Sequence, residues 1–589
     1  MKTFWKIFFG SLLAVLVASF LSMLIFFGLV GAMFGGSSQK PQPLTREAIL
    51  KLDFLSPVAE QSEENFRWNQ LSGPDFSNSI SLYDYVRAID RAAEDPAIKF
   101  IYMTPDMPAL SQSQMEEIRA ALQRFRASGK AIVSYSNQMT DGGYYLASAA
   151  DKIFMNSYGD AVMLGMSSSM VFFKDALERL GINVQLIRHG KYKAAGETFV
   201  KSDISPENRE QNEVMLRSMW NAMVEDICAS RDLDPAAYNR WIDRLELTDG
   251  PSLLARGMVD ELLFETGVEE YLCSLMGVKK AKDLHFVDIA QYAGTLNDRA
   301  PRGIRDKIAV VYCAGEIVVD GPEGSLAAER MARTLAEIRS DESIKAVVLR
   351  VNSPGGAAQG AEIINHEIGL LKEFKPVIAS YGDYAASGGY WISARADKIY
   401  TNRSTLTGSI GVFSLIPNFG NALRRKIGVN IVSINTHRHS SALSLMEPLD
   451  TAEQAYLSRM TERVYEDFTA LVAEGRRMPV EKVDELGQGR VWTGSDAVER
   501  GLADEIGTLV DAIDYAAVAA GLESGAYRVV EYPEVKGLMT RLMESFSRTR
   551  ASLEAVTDPL TALEKSYAKL RRENRAQVYA RLPWIYSFN

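Results

Sequence analysis

Residues 383–402 read DYAASGGYWISARADKIYTN, and residues 137–156 read NQMTDGGYYLASAADKIFMN. At a constant offset of 246 they share Gly-Gly-Tyr, Ala-Asp-Lys-Ile and a closing Asn, yet Ser387 of the later stretch stands where the earlier one has Asp141. The likeness extends in both directions. AEDPAIKFIYM (93–103) matches RSDESIKAVVL (339–349) at the same offset, and RLGINVQLI (179–187) resembles KIGVNIVSI (426–434) at an offset of 247. LTDGPSLLARGMVDEL (247–262) resembles WTGSDAVERGLADEI (492–506). Collinear similarity over this length indicates two homologous domains and not a solenoid of short repeats.

Within each copy, short apolar runs such as Ala346–Val351, Val377–Tyr381 and Lys398–Tyr400 alternate with helical patterns such as Ala327–Ile338 and Ala361–Phe374. Strands followed by helices at this spacing predict a largely parallel sheet, so the fold class is α/β. A chain of 589 residues is too long for one core. The expected partition is 1–45, 46–300, 301–535 and a C-terminal tail, 536–589, read as helical with a break near Pro559.

The net charge of −10 excludes a nucleic-acid partner, because phosphate binding needs a basic surface. Cys228, Cys273 and Cys313 have no CxxC spacing and read as buried free thiols. No HExxH or other metal-ligand spacing occurs, so neither a metal nor a cofactor is expected. From Phe8 to Phe34 there is no charged residue, and a helix of that length, at about 1.5 Å per residue, crosses a bilayer with some tilt. The run is too long for a signal peptide's apolar region and no A-x-A site follows promptly, so an uncleaved signal anchor is expected. Lys2 and Lys6 before the run place the N-terminus in the cytoplasm and the rest of the chain outside it.

The chemistry concentrates where the copies differ. Ser387 lies between an apolar strand and a helix, in AASGG, where small residues permit close approach of backbone and substrate. The other reading of that turn is a serine that only caps the helix. RVNSPGGAAQG (350–360) follows a second apolar strand, and a Pro-Gly-Gly there presents backbone N–H groups of the kind a developing oxyanion needs. In the earlier copy, Ala109 and Leu110 stand opposite Gly355 and Gly356. That copy has therefore lost the oxyanion loop together with the nucleophile, which argues that the two features shared one function. A serine nucleophile needs a base. Within the later copy, His437 and His439 are available. The earlier copy offers RHGKYKAAGETF with Lys191 and Lys193, and an apolar setting from Tyr192, Ala194, Ala195 and Phe199 would lower a lysine pKa towards a basic role. Spacing does not choose between the two lysines.

RVNSPGG, AASGGYWIS, STLTGSIGVF and the VWTG…GLADEIG segment resemble the signal peptide peptidase A family in its long, internally duplicated form, and GKYKAAGETF is similar to that family's lysine-bearing segment. The resemblance spans roughly residues 46–510. It implies a Clp protease/crotonase-like fold in tandem, with Ser387 as nucleophile, Lys193 as general base, Ser409 orienting the lysine, and oxyanion donors at Gly355 and Gly356. It also implies a homotetramer at the cytoplasmic membrane, facing outward, that degrades apolar peptides such as signal peptides left in the bilayer. Two other readings stay open at this level: a Ser-His protease contained within the later copy, and a non-proteolytic crotonase-like membrane scaffold.

Overall fold

A computed structural model of the chain describes residues 44, 46–61, 63–69, 73–296, 303–321, 324–534 and 579–581. The expected anchor and the helices expected around Pro559 lie outside the described residues. Among the described residues no helix is long and apolar enough to cross a membrane.

The first repeat runs β1 (Ala48–Asp53), α1 (Leu82–Glu94), β2 (Ile98–Thr104), α2 (Gln112–Ala127), β3 (Ile132–Ser136), α3 (Asp141–Ala147), β4 (Lys152–Met155), β5 (Asn183–His189), α4 (Pro206–Arg231), β6 (Glu261–Leu262) and β7 (Phe286–Asp288). All of these strands but β5 form one sheet in the order β6-β4-β3-β2-β1-β7, with every pairing parallel. A parallel sheet must be covered on both faces, which explains its near-continuous apolar strands. Leu50, Leu52, Ile101 and Met103 face the core shared with α1 and α2, while Ile49, Phe100, Tyr102 and Val133 meet Val268 and Leu272 on the opposite face.

The second repeat follows the same plan: β8 (Lys307–Ala314), β9 (Ile317–Val318), β10 (Leu326–Ala327), α5 (Ala328–Ser340), β11 (Ile344–Ser353), β12 (Gly355–Ala357), α6 (Ala358–Lys372), β13 (Val377–Ala386), α7 (Gly388–Trp391), β14 (Lys398–Thr401), β15 (Leu406–Gly408), β16 (Val412–Asn418), α8 (Thr451–Arg476), β17 (Val491–Thr493), β18 (Glu505–Ile506) and β19 (Arg528–Tyr532). Its main sheet has the order β17-β15-β13-β11-β8-β19, and β14 joins at β13 and carries β18. The tandem α/β arrangement expected from the repeat is present.

A further sheet, β10-β9-β12-β20-β16-β5, draws strands from both repeats and from the tail, where β20 is Tyr579–Arg581. Strand β5 belongs to the first repeat by sequence but pairs antiparallel with β16 along its whole length, from His189 opposite Val412 to Asn183 opposite Asn418. The described part of the tail is thus extended, not helical, because the free edges of β12 and β16 offer it ladder partners. Buried charges also join the repeats. Arg350, fully buried, bonds Glu117 at 2.7 Å and Glu60 at 2.8 Å, and Ser113 Oγ donates to Asp383 at 2.6 Å.

Candidate active site

Strand β13 runs from the buried Val377 to Ala386 and ends abruptly at Ser387, whose backbone sits at φ 56°, ψ −114°. That region is sparsely populated by L-residues, costs on the order of 1–3 kcal/mol and persists only where its surroundings enforce it. Here they do: Ser387 N–H donates to Gly408 O at 2.8 Å, and the Ser387 carbonyl accepts from Trp391 N–H at 2.8 Å at the start of α7. The serine side chain makes no capping bond to the helix, so the capping reading fails and the hydroxyl is left for other work. In the first repeat the equivalent helix is capped by Thr140, which accepts from Gly143 N–H, and Asp141 is its first residue.

Lys193 reaches Ser387 from the other repeat. The turn after β5 carries it across the β5–β16 seam, and its Nζ lies 2.6 Å from Ser387 Oγ, 2.9 Å from Ser409 Oγ and 3.0 Å from Ser409 O. Lys193, Ser387 and Ser409 are all fully buried. Burial alone holds the Lys193 ammonium well below the usual lysine range, because an apolar setting penalises the charged form and no carboxylate offsets that penalty. Ser409 has φ 50° next to Gly408 at φ 73°. Its N–H donates to Arg490 O at 2.7 Å and its Oγ to Gly489 O at 3.4 Å, so both ends of the residue are tied to the chain preceding β17.

The structure separates the two lysines that spacing left equivalent. Lys191 is exposed and lies over the Tyr192 ring at 5.1 Å. Tyr192, Ala194 and Ala195 are buried as expected, whereas Phe199 is half-buried and stacks on Phe173. His439 does not join the serine: its half-exposed ring bonds Glu453 at 2.9 Å, and His437 bonds its neighbour Thr436. Gly355 and Gly356 lie in β12, which packs on α7, and a Cβ on Gly389 of that helix would meet Ser353 O at 2.5 Å. Gly355 has φ 96° and its N–H donates to Ser353 Oγ at 3.2 Å. Gly356 admits no side chain, since a Cβ there would lie 2.0 Å from Ile317 O.

Several residues that hold the lysine were not legible in the sequence. A Cβ on Gly489 would fall 2.5 Å from Lys193 Cβ, and one on Gly411 would fall 3.3 Å from Lys193 Cδ, so both glycines leave a slot for the lysine stem. Arg188 donates to Lys193 O at 2.9 Å and pairs at 3.4 Å with the buried Glu197. Gln211 Nε2 donates to Tyr192 O at 3.1 Å. Arg188 and Gly411 fall inside RHGKYKAAGETF and STLTGSIGVF, but nothing in those segments marks them as supports of the lysine, because that contact arises only in the folded seam.

β20 lies between β12 and β16 on the α7 side, with Gly355 opposite Arg581, Gly356 opposite Ala580 and both Ala357 and Phe413 opposite Tyr579. An extended segment therefore fills the slot beside the serine.

Fold and site together define the class: an internally duplicated α/β protein whose halves share one buried serine–lysine–serine cluster. Residues 124–279 and 370–523 match the family model for peptidase family S49, one match in each repeat. Protease 4 of Haemophilus influenzae is 35% identical over 504 residues, covering 82% of this chain and 81% of that one. Protease 4 of Salmonella typhi is 33% identical over 560 residues, covering 91% and 89%. A putative signal peptide peptidase SppA of Enterococcus faecium is 33% identical over 219 residues, 36% of this chain and 63% of its own. The chain belongs to peptidase family S49, in the duplicated protease IV form, and is a protease of that family.

Proposed function

We propose that the chain is a membrane-anchored serine endopeptidase in which Ser387 is the nucleophile and Lys193 the general base, acting on apolar peptides. The observation that carries this reading is the 2.6 Å approach of Lys193 Nζ to Ser387 Oγ, across two repeats, with both groups fully buried. A neutral lysine has two N–H donors and one lone pair. Donation to Ser409 O and Ser409 Oγ uses both donors and leaves the lone pair for the Ser387 hydroxyl. Lys193 then takes the hydroxyl proton as Oγ attacks a peptide carbonyl, and the C–N bond breaks as the lysine protonates the departing amine. Water, deprotonated by the same lysine, hydrolyses the acyl-enzyme and restores Ser387. Backbone amides of the Gly355–Gly356 segment are assigned to the oxyanion.

The slot occupied by β20 supports an extended peptide as substrate, since main-chain ladder bonds give affinity independent of sequence. The apolar N-terminal run, the family resemblance and the relative named signal peptide peptidase together support cleaved signal peptides in the cytoplasmic membrane as the substrate class. They extend the proposal to catalytic repeats on the extracytoplasmic side and to a homotetramer.

The test compares hydrolysis of a fluorogenic apolar peptide by the parent, Ser387→Ala, Lys193→Ala, Lys191→Ala and His439→Ala. Activity falls at least about a thousandfold in the first two variants and stays within about twofold in the others. Activity surviving in Lys193→Ala but lost in His439→Ala would sink the shared dyad.

A further inference from the structure

Tyr192, the neighbour of Lys193 in the first repeat, is tied at three points to residues 488–491 of the second. Its N–H donates to Gln488 O at 2.9 Å. Its carbonyl accepts from Gln211 Nε2 at 3.1 Å, and Gln211 Oε1 in turn accepts from Val491 N–H at 3.3 Å. Its hydroxyl accepts from Arg490 Nη1 at 3.2 Å and donates to Glu210 at 3.2 Å, while the same guanidinium pairs with Glu210 at 3.1 Å. The Arg490 guanidinium also lies 4.7 Å from the centre of the Tyr192 ring and 4.6 Å from that of Trp492. A planar, weakly hydrated cation suits contact with two aromatic rings as an ammonium does not.

The main chain of the same stretch holds Ser409. Arg490 O accepts from Ser409 N–H at 2.7 Å, and Gly489 N–H donates to Ile410 O at 2.7 Å. Ser409 O and Oγ meet Lys193 Nζ at 3.0 and 2.9 Å. These contacts close a circuit: Lys193 Nζ to Ser409, Ser409 to Arg490, Arg490 to Tyr192, and Tyr192 through one peptide bond back to Lys193. The stretch keeps a non-glycine residue, Gln488, at φ 53°, a conformation that persists only where its surroundings over-determine it. Stability is not the main thing the arginine supplies. Its partner Glu210 is half-exposed, and such a pair contributes about 1 kcal/mol or less, whereas a catalytic group displaced by about 1 Å loses about a hundredfold in rate.

We infer that Arg490 is a positioning residue for the serine–lysine pair: its side chain grips the turn that bears Lys193 while its carbonyl grips the serine that receives Lys193 Nζ, which fixes the distance between them. The inference rests on the peptidase reading and deepens it, by naming what keeps the base of one repeat aligned with the nucleophile of the other.

The test compares steady-state hydrolysis of the fluorogenic apolar peptide by the parent, Arg490→Met, Arg490→Lys, Ser409→Ala and the Arg490→Met/Ser409→Ala double variant, with thermal melting followed alongside. Arg490→Met lowers kcat about thirtyfold, with KM within about twofold and little change in melting. Arg490→Lys keeps the charge and the reach to Glu210 but not the planar contact with both rings, so it recovers no more than about threefold of that loss. Once Ser409 is truncated the circuit is already open, and adding Arg490→Met costs no more than about twofold further, whereas independent losses multiply. Multiplying losses, full activity in Arg490→Met, full recovery with lysine, or a loss confined to KM would each overturn the inference. Should Arg490→Met fold poorly, Tyr192→Phe removes only the hydroxyl contact; it lowers kcat by a smaller factor that vanishes in the Ser409→Ala background, and persistence of that factor there counts equally against the inference. Failure of the peptidase reading shows separately, as activity surviving in Ser387→Ala or Lys193→Ala.

Discussion

At Ser387 the chain holds an L-residue at φ 56°, and at the equivalent point of the first repeat an ordinary capped helix begins. The strain and the hydroxyl occur together in one copy, as expected when backbone strain serves to present a side chain. Its partner lysine is destabilising by construction. An unfolded lysine keeps its proton to about pH 10.4, while buried Lys193 releases it well below that, so unfolding takes up a proton between the two values. Stability therefore rises with pH across that window, and activity rises through the lower pKa as the neutral base forms. Lys193→Met removes the desolvated amine: melting at neutral pH shifts upward, hydrolysis is lost, and the gain shrinks when melting is repeated near pH 10.

On the proposed mechanism, strand β20 and the seam around β5 govern access and alignment. The tail strand pairs with β12, which carries Gly355 and Gly356, and Arg581 adds an ion pair with Glu316 at 3.2 Å. Surface pairs of this kind contribute about 1 kcal/mol or less, so the strand's hold on the slot rests on its ladder bonds to β12 and β16, which a substrate backbone could replace. Deleting residues 579–589 lowers KM for a short apolar peptide several-fold with kcat little changed, read from steady-state hydrolysis. An unchanged KM would mean that β20 does not compete with substrate. The lysine slot tolerates less. Gly489 has φ 77° and an added methyl group overlaps Lys193 Cβ, so Gly489→Ala costs at least about a hundredfold in kcat/KM, with the far-ultraviolet circular dichroism unchanged.

The whole molecule works only if its repeats keep their relative position, and buried charge does much of that. Removing one member of a buried pair leaves the other uncompensated and costs about 3–5 kcal/mol. Arg350→Leu strands Glu117, which is 1% exposed along its side chain. It is expected to lower the free energy of unfolding by that amount, read from denaturant titration, and to reduce activity without touching Ser387 or Lys193. Beside it, Glu116 accepts from Arg403 N–H at 2.7 Å and Ser404 N–H at 3.1 Å, and burial pushes its pKa up to about 7. Folded protein thus holds a proton that the unfolded chain releases near pH 4.3, so stability falls as pH rises from about 4.5 to 7. Glu116→Gln flattens that decline in melting temperature measured across the same range.

The offset of 246 between AADKI and RADKI, and the alternation of apolar runs with helical patterns, by themselves determined a duplicated α/β chain, because burial periodicity and repeats are local properties of sequence. Comparing the copies also singled out Ser387, Gly355 and Gly356, since the residues lost together in one repeat mark what the other retained. Spacing left Lys193 and Lys191 equivalent and only the family resemblance pointed to Lys193; the tertiary structure brings Lys193, and neither Lys191 nor His439, to Ser387. Two residues apart in one turn, Lys191 is exposed and Lys193 is buried beside the β5–β16 seam, which exists only when a strand of the first repeat adds to a sheet of the second. Gly489 and Gly411 became visible for the same reason: they approach the lysine through space, across sequence separations that no local pattern records.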